Sequence, residues 1–179
     1  MVEKKVLLFY LIQQLKLLMI NNIFLIKFSE IYPIGKFKYA PGTIASLFTC
    51  IIYFYLNTYF QIEILILIFF IVFFLSLLSI QNYLKLYGNK DHQSIVIDEF
   101  LGQILTLTPL LFLKNFKLDL DYFLELLIFA FLLFRFFDIV KPWPINIIDR
   151  SKSSLSVIMD DMLAGLFSAI IVFISLLWL

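Results

Sequence analysis

The chain has very few of the residues that usually carry metal or redox chemistry. Of its 179 residues, one is cysteine (Cys50) and one is histidine (His92). A single cysteine cannot form an internal disulfide, and a zinc site needs a cluster of Cys or His ligands. Any histidine-based acid–base step must therefore use His92.

Charge is also scarce. Only 15% of the residues are charged and the formal net charge is +1, with the 14 basic residues spread along the chain. A dispersed and nearly neutral charge excludes a nucleic-acid partner. We find no glycine-rich nucleotide loop, no cleavable signal peptide and no feature that predicts a protein partner.

Apolar residues, in contrast, are unusually abundant. They make up 63% of the chain, and the mean hydropathy is +1.00, whereas soluble domains are about 45–50% apolar. This composition predicts an all-α, multi-helix bundle that is integral to the membrane, folded as a single domain over residues 1–179.

Five apolar runs approach the length of about 20 residues that a membrane span needs. We predict about 4–5 membrane helices, with a weak boundary between the first two at Asn57-Thr58, and an N-terminal amphipathic helix over residues 5–26. The candidate spans are Thr43–Phe60, Ile62–Ile80, Ile95–Leu113, Tyr122–Val140 and Met162–Leu179.

The distribution of Lys and Arg predicts the orientation of these spans. With five spans, 11 basic residues fall on one side and 2 on the other. Because basic loops stay in the cytoplasm, we predict a cytoplasmic N-terminus and a C-terminus on the outer side. Every polar cluster then lies at the cytoplasmic end of a helix, where four distant segments can build one site.

Two pairs of adjacent carboxylates are the most informative feature. Asp98-Glu99 and Asp160-Asp161 each precede or open an apolar run, where a charge costs roughly 3 kcal/mol at the mid-bilayer. Carboxylate oxygens are the ligands that Mg²⁺ prefers, so we predict that these four residues bind Mg²⁺. Gly102 and Gly165 follow the pairs on small-residue faces that allow close approach. The structural alternative is that the pairs only cap helices or oppose the helix dipole.

Cations and a turn accompany the carboxylates. Arg135 and Asp138 share a helix face, and Lys141 precedes a proline turn that can direct it toward a phosphate. Gly42 and Thr43 begin a helix whose N-terminus can cradle an anion. A hard cation beside such groups in a membrane suggests phosphate chemistry.

Four blocks of these residues, in this order and spacing, resemble the bacterial phosphatidylglycerophosphatase A family. They cover residues 40–165, although the stretch before Asp160 is rich in serine where the family often has glycine. The blocks are Ala40-Pro41-Gly42-Thr43-x-x-Ser46, Ile95-Val96-Ile97-Asp98-Glu99-x-x-Gly102, Phe134-Arg135-x-Phe137-Asp138-x-x-Lys141-Pro142-x-Pro144 and Ile158-Met159-Asp160-Asp161-x-x-Ala164-Gly165.

The resemblance implies a magnesium-dependent lipid phosphatase of the bacterial inner membrane that hydrolyses phosphatidylglycerophosphate to phosphatidylglycerol, with a phospholipid as its partner. The metal ligands would be Asp98, Glu99, Asp160 and Asp161. The catalytic set would add Asp138 and His92, and the phosphate-binding set would be Arg135, Lys141, Gly42 and Thr43. Two other classes stay open on the residues alone: a small cation transporter or channel, and a structural subunit.

Overall fold

The computed structural model describes residues 21–88, 92–115, 119–151 and 153–178, together with Gln14 and Met19. Within these residues the chain is all-helical, as predicted. Helix α1 covers residues 21–29 of the described part, so most of the predicted amphipathic helix at 5–26 lies outside the described residues. The other helices are α2 (Pro41–Tyr59), α3 (Ile62–Tyr87), α4 (Ile97–Leu107), α5 (Leu120–Val140), α6 (Ile145–Asp149) and α7 (Ser154–Leu176), with 3₁₀ helices at Ile34–Lys36 and Thr108–Asn115.

The α2–α3 boundary lies where the predicted bounds of the first two spans place it, between Phe60 and Ile62, and not at the weak break Asn57-Thr58. Helix α2 continues through Asn57-Thr58, and the chain leaves the helix at Phe60 and Gln61 instead. Thr58 is helical, and its hydroxyl donates to the carbonyl of Phe54, one turn earlier, at 2.9 Å. Helix α3 then runs on past the predicted end at Ile80 as far as Tyr87.

Helix α4 begins two residues later than predicted, which places Asp98 and Glu99 in its first turn. Val96 is the N-cap and has a non-helical backbone, and its N–H donates to the carbonyl of Ser29 at 3.0 Å. The pair therefore lies where the helix dipole favours negative charge, as the structural alternative predicts. The α-helix ends at Leu107 and a 3₁₀ helix follows, so α4 alone is too short to cross a bilayer.

Helix α7 begins at Ser154, eight residues before the predicted start at Met162. Ser153 caps it: its side chain accepts from the N–H of Ser156 at 3.1 Å, and the Ser156 hydroxyl accepts from the N–H of Ser153 at 2.9 Å. The serine-rich stretch thus starts the helix. Asp160 and Asp161 lie about two turns inside it, so Asp160 is not an N-cap.

Helices α4 and α7 touch at their backbones through two glycines. A Cβ atom on Gly165 would lie 2.3 Å from the carbonyl oxygen of Gly102, and one on Gly102 would lie 2.5 Å from that of Asp161. The Thr106 hydroxyl donates to the Gly102 carbonyl at 3.0 Å beside this contact. The predicted close approach on the small-residue faces is confirmed.

Two helices are long and apolar enough to cross a membrane, α3 and α7. Helix α3 buries little of its apolar surface in the protein, and Leu67, Phe70 and Phe74 are all more than half exposed. A large exposed apolar surface on a helix is what lipid contact requires. Helix α5 has a suitable length but carries Asp121, Glu125, Arg135 and Asp138.

Candidate active site

Polar side chains from four helices and two loops line one cavity of about 700 Å³. The cavity lies where α2, α4 and α7 begin and where α3 and α5 end, so the predicted convergence of distant segments is confirmed. Nine of the ten predicted site residues line it; Thr43, half-buried on α2, does not. The nine are Gly42, His92, Asp98, Glu99, Arg135, Asp138, Lys141, Asp160 and Asp161.

Three carboxylates form the centre of the cavity, and we call Asp98, Glu99 and Asp161 the carboxylate centre. One oxygen from each lies within 4.8 Å of the others. Asp98 and Asp161 are only 8% and 5% exposed, and the buried Oε2 atom of Glu99 has no hydrogen-bond partner among the described residues. Buried like charges at this separation repel each other unless a cation or protons compensate them.

The backbone contact between α4 and α7 produces this arrangement. Gly102 lies one turn after Asp98, and its missing side chain lets the backbone of Asp161 approach. Asp161 therefore stands opposite the first turn of α4. The glycines and the carboxylates act as one unit: the former bring the helices together, and the latter occupy the resulting junction.

Asp160 faces a different partner from its neighbour. Its Oδ2 atom accepts a hydrogen bond from Lys141 Nζ at 2.7 Å, and its Oδ1 atom is buried without a hydrogen-bond partner among the described residues. Adjacent residues on a helix point about 100° apart, which separates Asp160 from Asp161. The structure brings three of the four predicted metal ligands together and places Asp160 beside them, on the lysine.

Lys141 joins three elements. It ends α5 in a left-handed conformation (φ 44°), and its ammonium lies between Asp149 on α6 and Asp160 on α7. Burial lowers the pKa of Lys141, but the hydrogen bonds to the two carboxylates outweigh it and raise that pKa above its ordinary value. Burial also raises the pKa of Asp149, yet the lysine lowers it overall. Lys141 is therefore a cation at neutral pH.

Arg135 and Asp138 form the ion pair that their spacing predicts, with Nη1 and Oδ2 2.6 Å apart. Both side chains are largely buried and both line the cavity. The Nε atom of Arg135 has no hydrogen-bond partner in the described part of the chain. This donor is available to an anion in the cavity.

Gly42 makes room for a carboxylate. A Cβ atom there would lie 2.0 Å from Oε1 of Glu99, so only glycine allows Glu99 its present position. Gly42 also lies in the first turn of α2, which begins with Pro41 and has no side-chain cap. The positive end of the helix dipole therefore points toward the cavity, where it favours negative charge.

His92 lies at the edge of the cavity. Its Nε2 atom hydrogen-bonds to the carbonyl of Gly88 at 3.2 Å, and its ring contacts Tyr83 and Tyr87 with centroids 5.1 and 6.1 Å apart. Ser94, two residues after His92, also contacts this rim, because its hydroxyl hydrogen-bonds to that of Tyr83 at 2.7 Å. The contacts of His92 are thus with the rim and not with the carboxylate centre.

Sequence reasoning did not place Asp149 and Arg150 in the site, although both line the cavity. They follow the turn at Pro142-Trp143-Pro144, after which the five residues of α6 pack against α7. A charged pair eight residues after Lys141, beyond a rigid turn, is the signal that could have indicated them.

Comparison with known proteins adds an independent result. The family model described as phosphatidylglycerophosphatase A matches residues 27–176. A protein of Haemophilus influenzae named phosphatidylglycerophosphatase A is 32% identical over 146 residues, which cover 81% of this chain and 84% of that protein. One of the same name from Escherichia coli (strain K12) is 33% identical over 146 residues, 80% of this chain and 79% of its own.

A third relative carries another name. A Bacteroides thetaiotaomicron protein named "Putative phosphatidylinositol-3-phosphatase" is 32% identical over 146 residues, 79% of this chain and 86% of its own. No solved structure matches this chain.

Proposed function

Because this chain belongs to the phosphatidylglycerophosphatase A family, we infer that it hydrolyses phosphatidylglycerophosphate to phosphatidylglycerol and phosphate. In that reaction the oxygen of water bonds to the terminal phosphorus and the bond from phosphorus to the glycerol oxygen breaks. One proton of the water goes to the glycerol oxygen, which gives phosphatidylglycerol, and the other stays with the inorganic phosphate. The chain is accordingly a membrane protein with a phospholipid substrate, and the cavity is the site we assign to the reaction.

We also propose that Mg²⁺ is the cofactor. Asp98, Glu99 and Asp161 fit it, because they offer three oxygen donors within 4.8 Å and Glu99 retains an oxygen without a hydrogen-bond partner in the described structure. Asp160, the fourth predicted ligand, lies beside this set and is hydrogen-bonded to Lys141 instead. When bound, Mg²⁺ supplies positive charge that polarises phosphoryl oxygens and stabilises the transition state.

The side chains around the centre have separate tasks in this proposal. Arg135, whose Nε has no hydrogen-bond partner among the described residues, and Lys141 offset the charge of the phosphomonoester. The N-terminus of α2 at Gly42 adds a favourable field. Asp138, on the cavity wall, can orient the attacking water and accept its proton. His92 faces the rim, which favours a carboxylate over His92 in this role.

We further propose that the chain spans the membrane several times and that the cavity opens to the cytoplasm. The cavity lies at one end of all the long helices, which is the end that the Lys and Arg distribution predicts to be cytoplasmic. The exposed apolar side chains of α3 and α7 support contact with lipid along these helices.

The geometry does not favour the transporter alternative. An ion pathway needs polar groups through the depth of a bundle, whereas these carboxylates cluster at one end. Glu125, toward the other end of α5, is exposed and does not line the cavity.

Phosphate release from phosphatidylglycerophosphate in detergent micelles tests the proposal, measured with Mg²⁺, after EDTA and after Mg²⁺ is restored. We expect release that stops with EDTA and returns with Mg²⁺. Phosphate release that continues in EDTA would contradict the proposed dependence on Mg²⁺. No release by folded protein in any condition would contradict the proposed phosphatase activity. Cation flux into liposomes under the same conditions would then support the transporter.

A further inference from the structure

We propose that Arg150 at the mouth of the cavity binds the phosphodiester of the lipid headgroup. The inference rests on the proposed function and extends it. Phosphatidylglycerophosphate carries two phosphates: the terminal monoester that reacts, and an internal diester that joins the glycerol to the diacylglycerol. A residue that recognises the diester selects lipids in which a glycerol separates the two groups.

The first observation is that Arg150 is a cation of the cavity that forms no ion pair with a described residue. Three basic side chains line it. Arg135 is paired with Asp138 at 2.6 Å, and Lys141 is held between two aspartates. Within the part of the chain that the structure describes, the Arg150 side chain has no ion pair and no hydrogen bond.

The second observation is the charge of the cavity. Its lining includes three basic residues against six carboxylates: Asp98, Glu99, Asp138, Asp149, Asp160 and Asp161. The carboxylate centre, Arg135 and Lys141 serve the reacting phosphate in the proposed function. Of the three basic residues, Arg150 then remains to offset the negative charge of the diester. The planar guanidinium can donate two parallel hydrogen bonds to phosphate oxygens, which suits a diester.

The third observation is the level at which Arg150 lies. It caps the C-terminus of α6, next to Asp149, which is anchored by Lys141. Trp143 and Ile147 in the same turn and helix are 75% and 55% exposed. Exposed Trp beside apolar residues is typical of the membrane–water interface, where lipid phosphodiesters lie. Segment 143–150 therefore holds the arginine at headgroup height, with the cavity behind it.

The test separates the two phosphates. Arg150→Gln and Arg150→Lys are compared with Lys85→Gln, which removes a charge from an exposed lysine at the end of α3, outside the cavity. For each variant we measure kcat and KM for phosphatidylglycerophosphate. We also measure the inhibition constants of short-chain phosphatidylglycerol, which has only the diester, and of inorganic phosphate, which mimics the monoester.

For Arg150→Gln we expect KM and the inhibition constant of phosphatidylglycerol to rise about tenfold, the scale of one charged hydrogen bond. The inhibition constant of inorganic phosphate and kcat should change by no more than about twofold, because both depend on the site of the reacting phosphate and not on Arg150. In Arg150→Lys, KM and the inhibition constant of phosphatidylglycerol should lie between those of Arg150→Gln and those of the unmodified chain. In Lys85→Gln, all of these values should equal those of the unmodified chain.

Two results would overturn the inference while the proposed function stands. One is Arg150→Gln with unchanged KM and unchanged inhibition by phosphatidylglycerol. The other is weaker inhibition by inorganic phosphate together with a lower kcat, which would assign Arg150 to the reacting phosphate. Absence of phosphate release by the unmodified chain would overturn both.

Discussion

At the scale of single residues, the site depends on where two neighbouring aspartates point. Asp161 meets Asp98 and Glu99, whereas Asp160 meets Lys141. The sequence indicated both pairs as ligands because carboxylates of this kind are rare in apolar runs. It did not distinguish the members of a pair, since that depends on the rotation of α7 against α4.

Glu99→Gln is expected to lower kcat/KM at least about 100-fold, because it removes a donor from the centre that holds the metal. The melting temperature of the metal-free variant should equal or exceed that of the unmodified chain, since one of several crowded negative charges is gone. Phosphate release and thermal unfolding in detergent check both parts. Asp121→Asn, an exposed residue in the first turn of α5, is the control. Activity within twofold of normal in Glu99→Gln would remove this residue from the site.

Gly42→Ala separates activity from stability. The new methyl group would displace the end of the Glu99 side chain, which is flexible, so the melting temperature should change little. A carboxylate displaced by about 1 Å can reduce activity roughly 100-fold. The control is Leu47→Ala on the exposed side of α2. A normal kcat in Gly42→Ala would show that the close contact with Glu99 has no role in the reaction.

At the scale of helices, the ends of the elements decide which residues meet. The type of every long element was predictable from apolar runs of the right length. The residues at which the helices start were harder to predict. The predicted α7 began after Asp160-Asp161 because these charges interrupt the apolar run, whereas the helix begins at Ser154, after the Ser153 cap. The α6 helix was not predicted, since five residues after a proline turn show no periodicity.

The crossing of α4 and α7 supports a prediction of its own. Gly165→Ala places a methyl group against the backbone of Gly102, which cannot yield as a side chain can. We expect a loss of about 1–3 kcal/mol in unfolding free energy, and a loss of activity as Asp161 moves from α4. Thermal unfolding and phosphate release measure the two effects. Leu166→Ala, half-exposed on the same helix, is the control, and a Gly165→Ala variant of unchanged stability and activity would contradict this packing.

At the scale of the whole molecule, the bundle has a polar end and apolar sides. The sequence predicted this division from composition and the bias of basic residues. The number of spans is harder to derive, because α4 shortens into a 3₁₀ helix and α5 carries buried charges toward the cavity. Interior packing, which a linear pattern does not record, allows such charges.

The proposed topology predicts opposite accessibility for the two ends of α3. Glu63 lies in its first turn and Lys85 in its last turn, and both are exposed. A membrane-impermeant maleimide should label Glu63→Cys in right-side-out vesicles and Lys85→Cys in inside-out vesicles. The unmodified chain is the control, because its Cys50 is buried. The reverse pattern would place the cavity outside the cytoplasm.

The most direct test of the account is Mg²⁺ binding to the purified protein in detergent, measured by calorimetry on the unmodified chain, Asp161→Asn and Asp160→Asn. We predict binding to the unmodified chain that is lost in Asp161→Asn and largely kept in Asp160→Asn, because Asp160 is committed to Lys141. Equal binding by all three proteins, or loss in Asp160→Asn alone, would contradict the assignment of the metal to Asp98, Glu99 and Asp161.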